Sequence, residues 1–286
     1  MEIEIKNIRI IDVPSASGIA KLGDSYYAIG DDSPYLFTLN TAFNIIKKQE
    51  IYPTDKLDFG TFRKKDKPDF ETIEIISNTE MIVFGSGSKS PKRDVFIHLK
   101  NGKHKIHSMT PFYNELKNLD ALQGYELNIE GSAYHDGHLH LFNRGKNIIF
   151  TFFYSDLMAY FKNENSFPQP KITLYNLPKI NGISYGFSGA TAFQYKPYLL
   201  FTASGENTKN AYDDGEILGS IVGVIALDEN KPSQNIQYVT IPNAELPLKI
   251  EAVTIANEIA DKQTKIIFVT DSDGGESLLL NAVIKW

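Results

Sequence analysis

The chain has 286 residues, with 29 Lys and Arg against 35 Asp and Glu, a net charge of −6 and no cysteine. That composition excludes disulfides and thiolate chemistry, and it argues against nucleic acid or a membrane surface as partner, because both select a basic face. No stretch approaches the ~18 apolar residues of a membrane span. The first six residues alternate acid and aliphatic instead of forming the apolar core of a signal peptide. A cytoplasmic location is the simplest reading, with a trimmed secretory or periplasmic signal left open.

Fifteen Tyr, eighteen Phe and many Ile and Val favour strands. Residues 2–11 (Glu-Ile-Glu-Ile-Lys-Asn-Ile-Arg-Ile-Ile) form one such run. Four more follow at 18–22, 26–29, 35–39 and 45–51, punctuated by Gly23-Asp24 and by Gly30-Asp31-Asp32-Ser33-Pro34. The plan then recurs at 71–76, 81–84, 95–99 and 104–108. In the third set, Asp136-Gly137 is a hairpin signal between 131–135 and 138–142. The fourth set covers 190–194, 198–202, 220–227 and 236–241, and the fifth 252–257, 265–270 and 278–285. Two short helices are expected, at 111–119 and at 155–161, the latter with Ser155 as N-cap and Asp156 in its first turn. The acidic stretch 206–219 reads as the main inserted loop.

Each set opens on a polar residue followed by a small one: Ser17-Gly18, Glu71-Thr72, Glu130-Gly131, Ser188-Gly189 and Glu251-Ala252. These positions lie 54 to 63 residues apart, the period of a repeat architecture. Four-stranded units around an axis make a β-propeller. The fifth unit is one strand short, and residues 2–11 are the spare strand that closes the ring and removes exposed edges. The expectation is a single all-β domain, a five-bladed propeller, with blades at about 17–52, 70–110, 129–178, 187–242 and 250–286 plus 2–11. Six blades would need an irregular blade that the sequence does not offer.

In a propeller the first strand of each blade lines the axis, and its start shares a face with the end of the second strand. Two sets of residues therefore converge on one mouth. The first is Ser17, Glu71, Glu130, Ser188 and Glu251. The second is Asp31 and Asp32, Ser86 and Ser88, Asn143 and Arg144, Ser204 and Glu206, Asp271 and Asp273. The small residue after each polar one lets five strands crowd together. Three glutamates near one axis repel unless protons, an arginine (Arg144 or Arg93) or a cation intervenes. Hard cations take 6–8 oxygens, so a Ca²⁺ held by Glu130, Asn143, Glu251 and Asp271 is one expectation, against solvated carboxylates and salt bridges. Asp31, Asp32, Arg93, Ser188 and Glu206 are the candidate substrate-binding residues.

Other signals are weaker. Gly182-Ile183-Ser184-Tyr185-Gly186 has the spacing of a serine-hydrolase elbow but precedes a strand, not a helix. His135, His138 and His140 flank a hairpin far from the mouth. Asp271-Ser272-Asp273-Gly274-Gly275-Glu276 resembles half a calcium loop, Asp213-Asp214-Gly215-Glu216 is an acidic turn, and residues 89–93 form a small basic loop.

Six phrases resemble those of an uncharacterised bacterial β-propeller family. They are Asp12-Val13-Pro14-Ser15-Ala16-Ser17-Gly18, Tyr27-Ala28-Ile29-Gly30-Asp31-Asp32-Ser33, Asn128-Ile129-Glu130-Gly131, Phe142-Asn143-Arg144-Gly145, Gly186-Phe187-Ser188-Gly189-Ala190-Thr191 and 213–220. More distantly, Ile129-Glu130-Gly131 is similar to a motif of phytase-like and esterase-like propellers. The plan also resembles the gluconolactonase and senescence-marker group, which implies an axial divalent cation, with Glu130 and Asn143 at matching positions. Asn-Gly and Asp-Gly ligand motifs of the lactonases are absent. Two functions compete on this reading. One is a cation-assisted hydrolase of a small ester, lactone or phosphoester, with Glu71 as general base and Arg144 on an anionic group. The other is a non-catalytic module that binds a small molecule or a protein. A monomer is expected.

Overall fold

The computed structural model describes residues 1–207, 215–243, 246–270 and 277–286. Five four-stranded antiparallel sheets stand around one axis. Their innermost strands are Ala16–Leu22, Phe70–Ser77, Ile129–His135, Gly186–Ala192 and Ile250–Ala260, each touching the next, with the last returning to the first. The molecule is a five-bladed β-propeller. Each blade runs outward in chain order, except the fifth, whose outer strand is Glu2–Ile11. That strand pairs antiparallel with Ser277–Lys285, from Glu2 opposite Lys285 to Ile11 opposite Ser277, so the chain clasps its own ends.

The apolar residues sit between blades, because every sheet has two faces to cover and neighbours on both sides. Phe84, Phe96, Leu139 and Phe150 fill the space between blades two and three, and Phe142, Phe187 and Phe201 that between three and four. Phe268 and Leu280 pack against blade four, and Ile29, Ile73 and Val83 join one to two. Ile19, Phe37, Ile267 and Val269 close blade five on blade one. Each fully buried side chain of this kind contributes about 1.5–3 kcal/mol.

The small residues of the repeated phrase have the packing role expected of them. A Cβ on Gly189 would lie 2.8 Å from the Ala252 Cα and from the Glu251 carbonyl oxygen, and one on Gly131 would lie 2.9 Å from the Ala190 nitrogen. At Asp136-Gly137 both residues adopt positive φ (43° and 76°), the twist that a two-residue hairpin demands.

Several local expectations are corrected. The second helix is Tyr154–Phe161, and its N-cap is Phe153, which offers no side-chain bond; Ser155 lies inside the helix. The first is Thr110–Lys117, placed by Pro111 at its start, with Phe112, Tyr113 and Leu116 buried. The described ends of the acidic insertion are strand rather than loop, since Tyr198–Asn207 and Glu216–Asp228 extend their ladder as far as Asn207 opposite Glu216, while residues 208–214, with Asp213 and Asp214 of the acidic turn, lie outside the described residues. Two small hairpins not foreseen from the pattern, Leu57–Asp58 with Thr61–Phe62 and Lys179–Ile180 with Ile183–Ser184, also appear. The second of them contains Ser184, so the elbow-like phrase lies on a two-stranded hairpin. Among the described residues no helix is long and apolar enough to cross a membrane.

Candidate functional site

All five blades share one irregularity. The ladder between first and second strands slips at Ser17, Glu71, Glu130, Ser188 and Glu251, each flanked by paired neighbours: Ala16 and Gly18, Phe70 and Thr72, Ile129 and Gly131, Phe187 and Gly189, Ile250 and Ala252. The polar residue of the repeat is thus the extra residue of a β-bulge, a device that re-aims a side chain and raises local twist.

The bulge residues divide by chemistry. Ser17 and Ser188 hold blades together. The Ser17 hydroxyl donates to the Phe70 carbonyl of blade two. Ser188 is fully buried and bonds Thr202 (3.3 Å) and Ser204 (3.2 Å), and Ser204 in turn donates to the Ile250 carbonyl of blade five (2.9 Å). Of the three glutamates, Glu130 and Glu251 instead join a band of alternating charge. Lys249 Nζ lies 3.0 Å from Glu251 and 3.6 Å from Glu206. Glu206 also takes Arg144 at 2.9 Å, while Arg144 reaches Glu130 at 3.9 Å. Glu130 accepts a 2.6 Å bond from the Asn128 amide.

On the other side, Lys67 contacts Asp31 and lies 2.9 Å from Asp69, whose second oxygen takes Arg93 at 2.6 Å and the Ser86 hydroxyl. Carboxylate oxygens of Asp31, Asp69 and Glu71 all lie within 4.8 Å of one another. Asp32 accepts the Phe62 amide on its carbonyl (2.7 Å), while its buried Oδ1 has no partner.

Burial dominates the proton affinities. It raises Glu130 to about 7, outweighing Arg144, with Glu251 adding repulsion. It raises Asp31 to about 6 against the attraction of Lys67. Glu71 is pushed well above the carboxylate range by burial and then by Asp69, Glu130 and Asp31. The attraction of Asp31, Asp69 and Glu71 keeps Lys67 charged in spite of its burial, and Glu251 does the same for Lys249. Among the described residues, no donor or cation makes a hydrogen bond or ion pair with the Glu71 carboxyl.

The structure therefore brings together Glu71, Arg144, Asp31, Asp32, Arg93, Glu206, Glu130 and Glu251 around one mouth. Ser188 lies beneath it, inside the seam between blades four and five. Asn143 is fully buried, its Oδ1 accepting the Asn128 amide (2.7 Å) and its Nδ2 donating to the Glu126 carbonyl (3.4 Å). Asp271, Asp273 and the rest of the half calcium loop, residues 271–276, lie outside the described residues. The sequence reading missed Lys67, Asp69, Asn128 and Lys249. A signal for three of these existed: they stand two positions before a bulge glutamate, where blade one has Ser15 and blade four Gly186. Of the histidines, His140 is fully buried against Thr151 (2.9 Å) and held neutral by burial, down to about 3.

A family model matches residues 12–284. The chain belongs to DUF6929, a family of unknown function. Among solved structures, the crystal structure of Myxococcus xanthus glutaminyl cyclase is similar at a TM-score of 0.53 and 7% identity, over 99% of this chain and 97% of that one. The tail fibre of Staphylococcus aureus phage P68 is similar at 0.44 and 13%, over 99% of this chain and 53% of that one. No curated protein matches the chain in sequence. The glutaminyl cyclase likeness extends over both chains and concerns the fold alone.

Proposed function

We propose that this DUF6929 chain is a hydrolase of small molecules, acting on an ester, lactone or phosphoester at the axial mouth by general acid–base catalysis. One observation carries the reading: Glu71 is a carboxyl at the mouth without a bonding partner, whereas Asp31, Asp69, Glu130, Glu206 and Glu251 all have one. An unpartnered, desolvated carboxyl costs stability, and strongly perturbed groups in clefts concentrate at functional sites.

The environments of Glu71 and Glu130 suit opposite roles. Glu71, shifted by burial toward its protonated form, can give a proton to a leaving oxygen, which reverses the base role expected from sequence. Glu130, raised to about 7, is deprotonated in part there and can take a proton from an attacking water. Arg144 and Lys249 would hold developing negative charge. The distant similarity to phytase-like and gluconolactonase-type propellers supports this substrate range, and the glutaminyl cyclase likeness adds no substrate.

A second form of the reaction is cation-assisted, and the three-carboxylate cluster favours it. Asp31, Asp69 and Glu71 suit Ca²⁺, which takes 6–8 oxygens. Glu130, Asn143 and Glu251 bind Asn128, Glu126 and Lys249, and Asp31 and Asp69 bind Lys67 and Arg93, so Glu71 is the carboxyl in these sets whose oxygens are open to an ion. A panel of nitrophenyl esters, lactones and phosphoesters, run with and without chelator, tests both forms. The expected result is turnover that survives chelator and falls at least roughly a hundredfold in Glu71→Gln, the range that proton transfer supplies. Turnover abolished by chelator would select the cation-assisted form. No turnover, with a ligand raising the melting temperature, would make the mouth a binding site only.

A further inference from the structure

We propose that blade three carries a second ligand site at its end opposite the mouth, a pocket for a small free amino acid such as glycine or alanine. The inference does not rest on any chemistry at Glu71.

The pocket follows from how the blade ends. Its first two strands pair from Ile129 opposite Asn143 at the mouth to His135 opposite His138 at the far end. His138 and His140 lie on one face of the second strand, with Phe153 and Thr151 opposite them on the third, Ile148–Phe153. The outer strand, Lys171–Leu174, is short, so its ladder stops at Lys171 opposite Thr151 and Phe153 runs past the last pair. The helix Tyr154–Phe161 then crosses that open end, anchored by the Tyr154 amide, which donates to the Gly137 carbonyl at 2.8 Å. Its first turn brings Asp156, and the chain returning to Lys171 brings Gln169. These side chains line a cavity of about 100 Å³.

The lining offers two opposite chemistries. His138 is only 9% exposed, and its Nδ1 lies 2.9 Å from the Asp136 carbonyl. A carbonyl can only accept, so Nδ1 carries the hydrogen and the neutral ring keeps Nε2 as an acceptor on its other edge. Asp156 adds a carboxylate that receives only a 3.4 Å bond from Ser155. These two acceptors suit an ammonium, and the Phe153 ring, 4.4 Å from that of His138, gives it a π-face. Lys171 supplies the opposite charge. The Thr151 hydroxyl uses one of its bonds on His140 Nδ1 (2.9 Å) and keeps another for the cavity. Among the described residues, Asp156 and Lys171 form no ion pair with each other or with a third group. A ligand with an ammonium and a carboxylate on one carbon answers both charges. Size agrees: a cavity of about 150 Å³ takes the six non-hydrogen atoms of benzene, so about 100 Å³ suits the five of glycine. Phe153 is half exposed, which leaves a way out for the alanine methyl.

The test is calorimetric titration of the full chain at neutral pH with glycine, alanine, methylammonium chloride and sodium acetate. Glycine and alanine are expected to bind with a dissociation constant on the order of 0.1–1 mM, within the limit that so few atoms allow. Methylammonium and acetate each carry one of the two charges and should bind at least about tenfold more weakly, as loss of a charged hydrogen bond implies. Asp156→Asn and Lys171→Gln change exposed side chains, so both should fold, and each should weaken glycine by about tenfold or more. Failure of both amino acids to bind would overturn the proposal. So would acetate or methylammonium binding as tightly as glycine, or glycine binding unchanged in either variant. Loss of glycine binding in Glu71→Gln would place the amino acid at the mouth and overturn it as well.

Discussion

Glu130→Gln should make the protein more stable at alkaline pH and no more stable in acid. Glu130 is 8% exposed, and burial raises it from 4.5 to about 7. At about 1.4 kcal/mol per pH unit that difference amounts to about 3 kcal/mol. The sign follows from where the proton goes. Between pH 4.5 and 7 the folded chain keeps a proton that the unfolded chain has released, so stability falls as pH rises through this window. Below 4.5 both states hold the proton and the group is neutral to folding. Glutamine has no charge to bury, it keeps an oxygen to accept from Asn128, and Arg144 keeps Glu206 at 2.9 Å. The variant should therefore match wild type at pH 4 and exceed it by about 3 kcal/mol at pH 8. With an unfolding entropy of about 2 cal/mol/K per residue, that is about 5 °C in melting temperature for a chain of this length. Urea unfolding at pH 4, 6 and 8 reads the difference directly. Equal pH slopes for the two proteins, or a variant weaker at pH 8, would refute the argument that burial governs this carboxyl.

Other outcomes follow from the same geometry. Lys249→Met strands Glu251 without its cation and should lose about 3 kcal/mol or more in urea unfolding at pH 8, as removal of one partner of a buried pair does. Gly189→Ala forces a methyl to within 2.8 Å of blade five and should cost about 1–3 kcal/mol, with Gly23→Ala, which meets nothing within 4 Å, as the control for chain effects. Deleting residues 1–11 opens the ring and bares the Ser277–Lys285 edge, and gel filtration should show a shift from the elution volume of the full chain to aggregate. Glu71→Gln should raise the melting temperature at pH 8 while turnover falls, the trade expected where a strained group serves chemistry.

The ring could be read from the chain because its cause is local and repeated. Five strands must approach one axis, so each carries Gly, Ala or Thr where a larger side chain would collide, and that residue type recurs at a visible period. The closing strand was legible for a similar reason: residues 2–11 alternate like a strand and have no partner nearby, while the last blade lacks one. The mouth was legible only in part. Glu71, Glu130, Glu251, Asp31 and Arg144 stand at repeat positions, whereas Asp69, Asn128 and Lys249 share a repeat position of their own whose residue type changes from blade to blade, and Lys67 lies further ahead of the motif. Asn143 looked like a ligand by type, yet its amide closes the backbone around Asn128. Ser188 looked like a rim hydroxyl, yet it is buried in a seam.

The amino-acid order by itself determined the number of blades, their clasp and which residues would crowd the axis, since steric fit and strand alternation are properties of neighbours in the chain. Only the folded ring decided which carboxyls are neutralised and by which cations. The pairings between blades join one to two through Lys67 and Asp31, 36 residues apart, and three to four through Arg144 and Glu206, 62 apart, and electrostatic energy depends on distance and desolvation, which do not exist until the blades have closed.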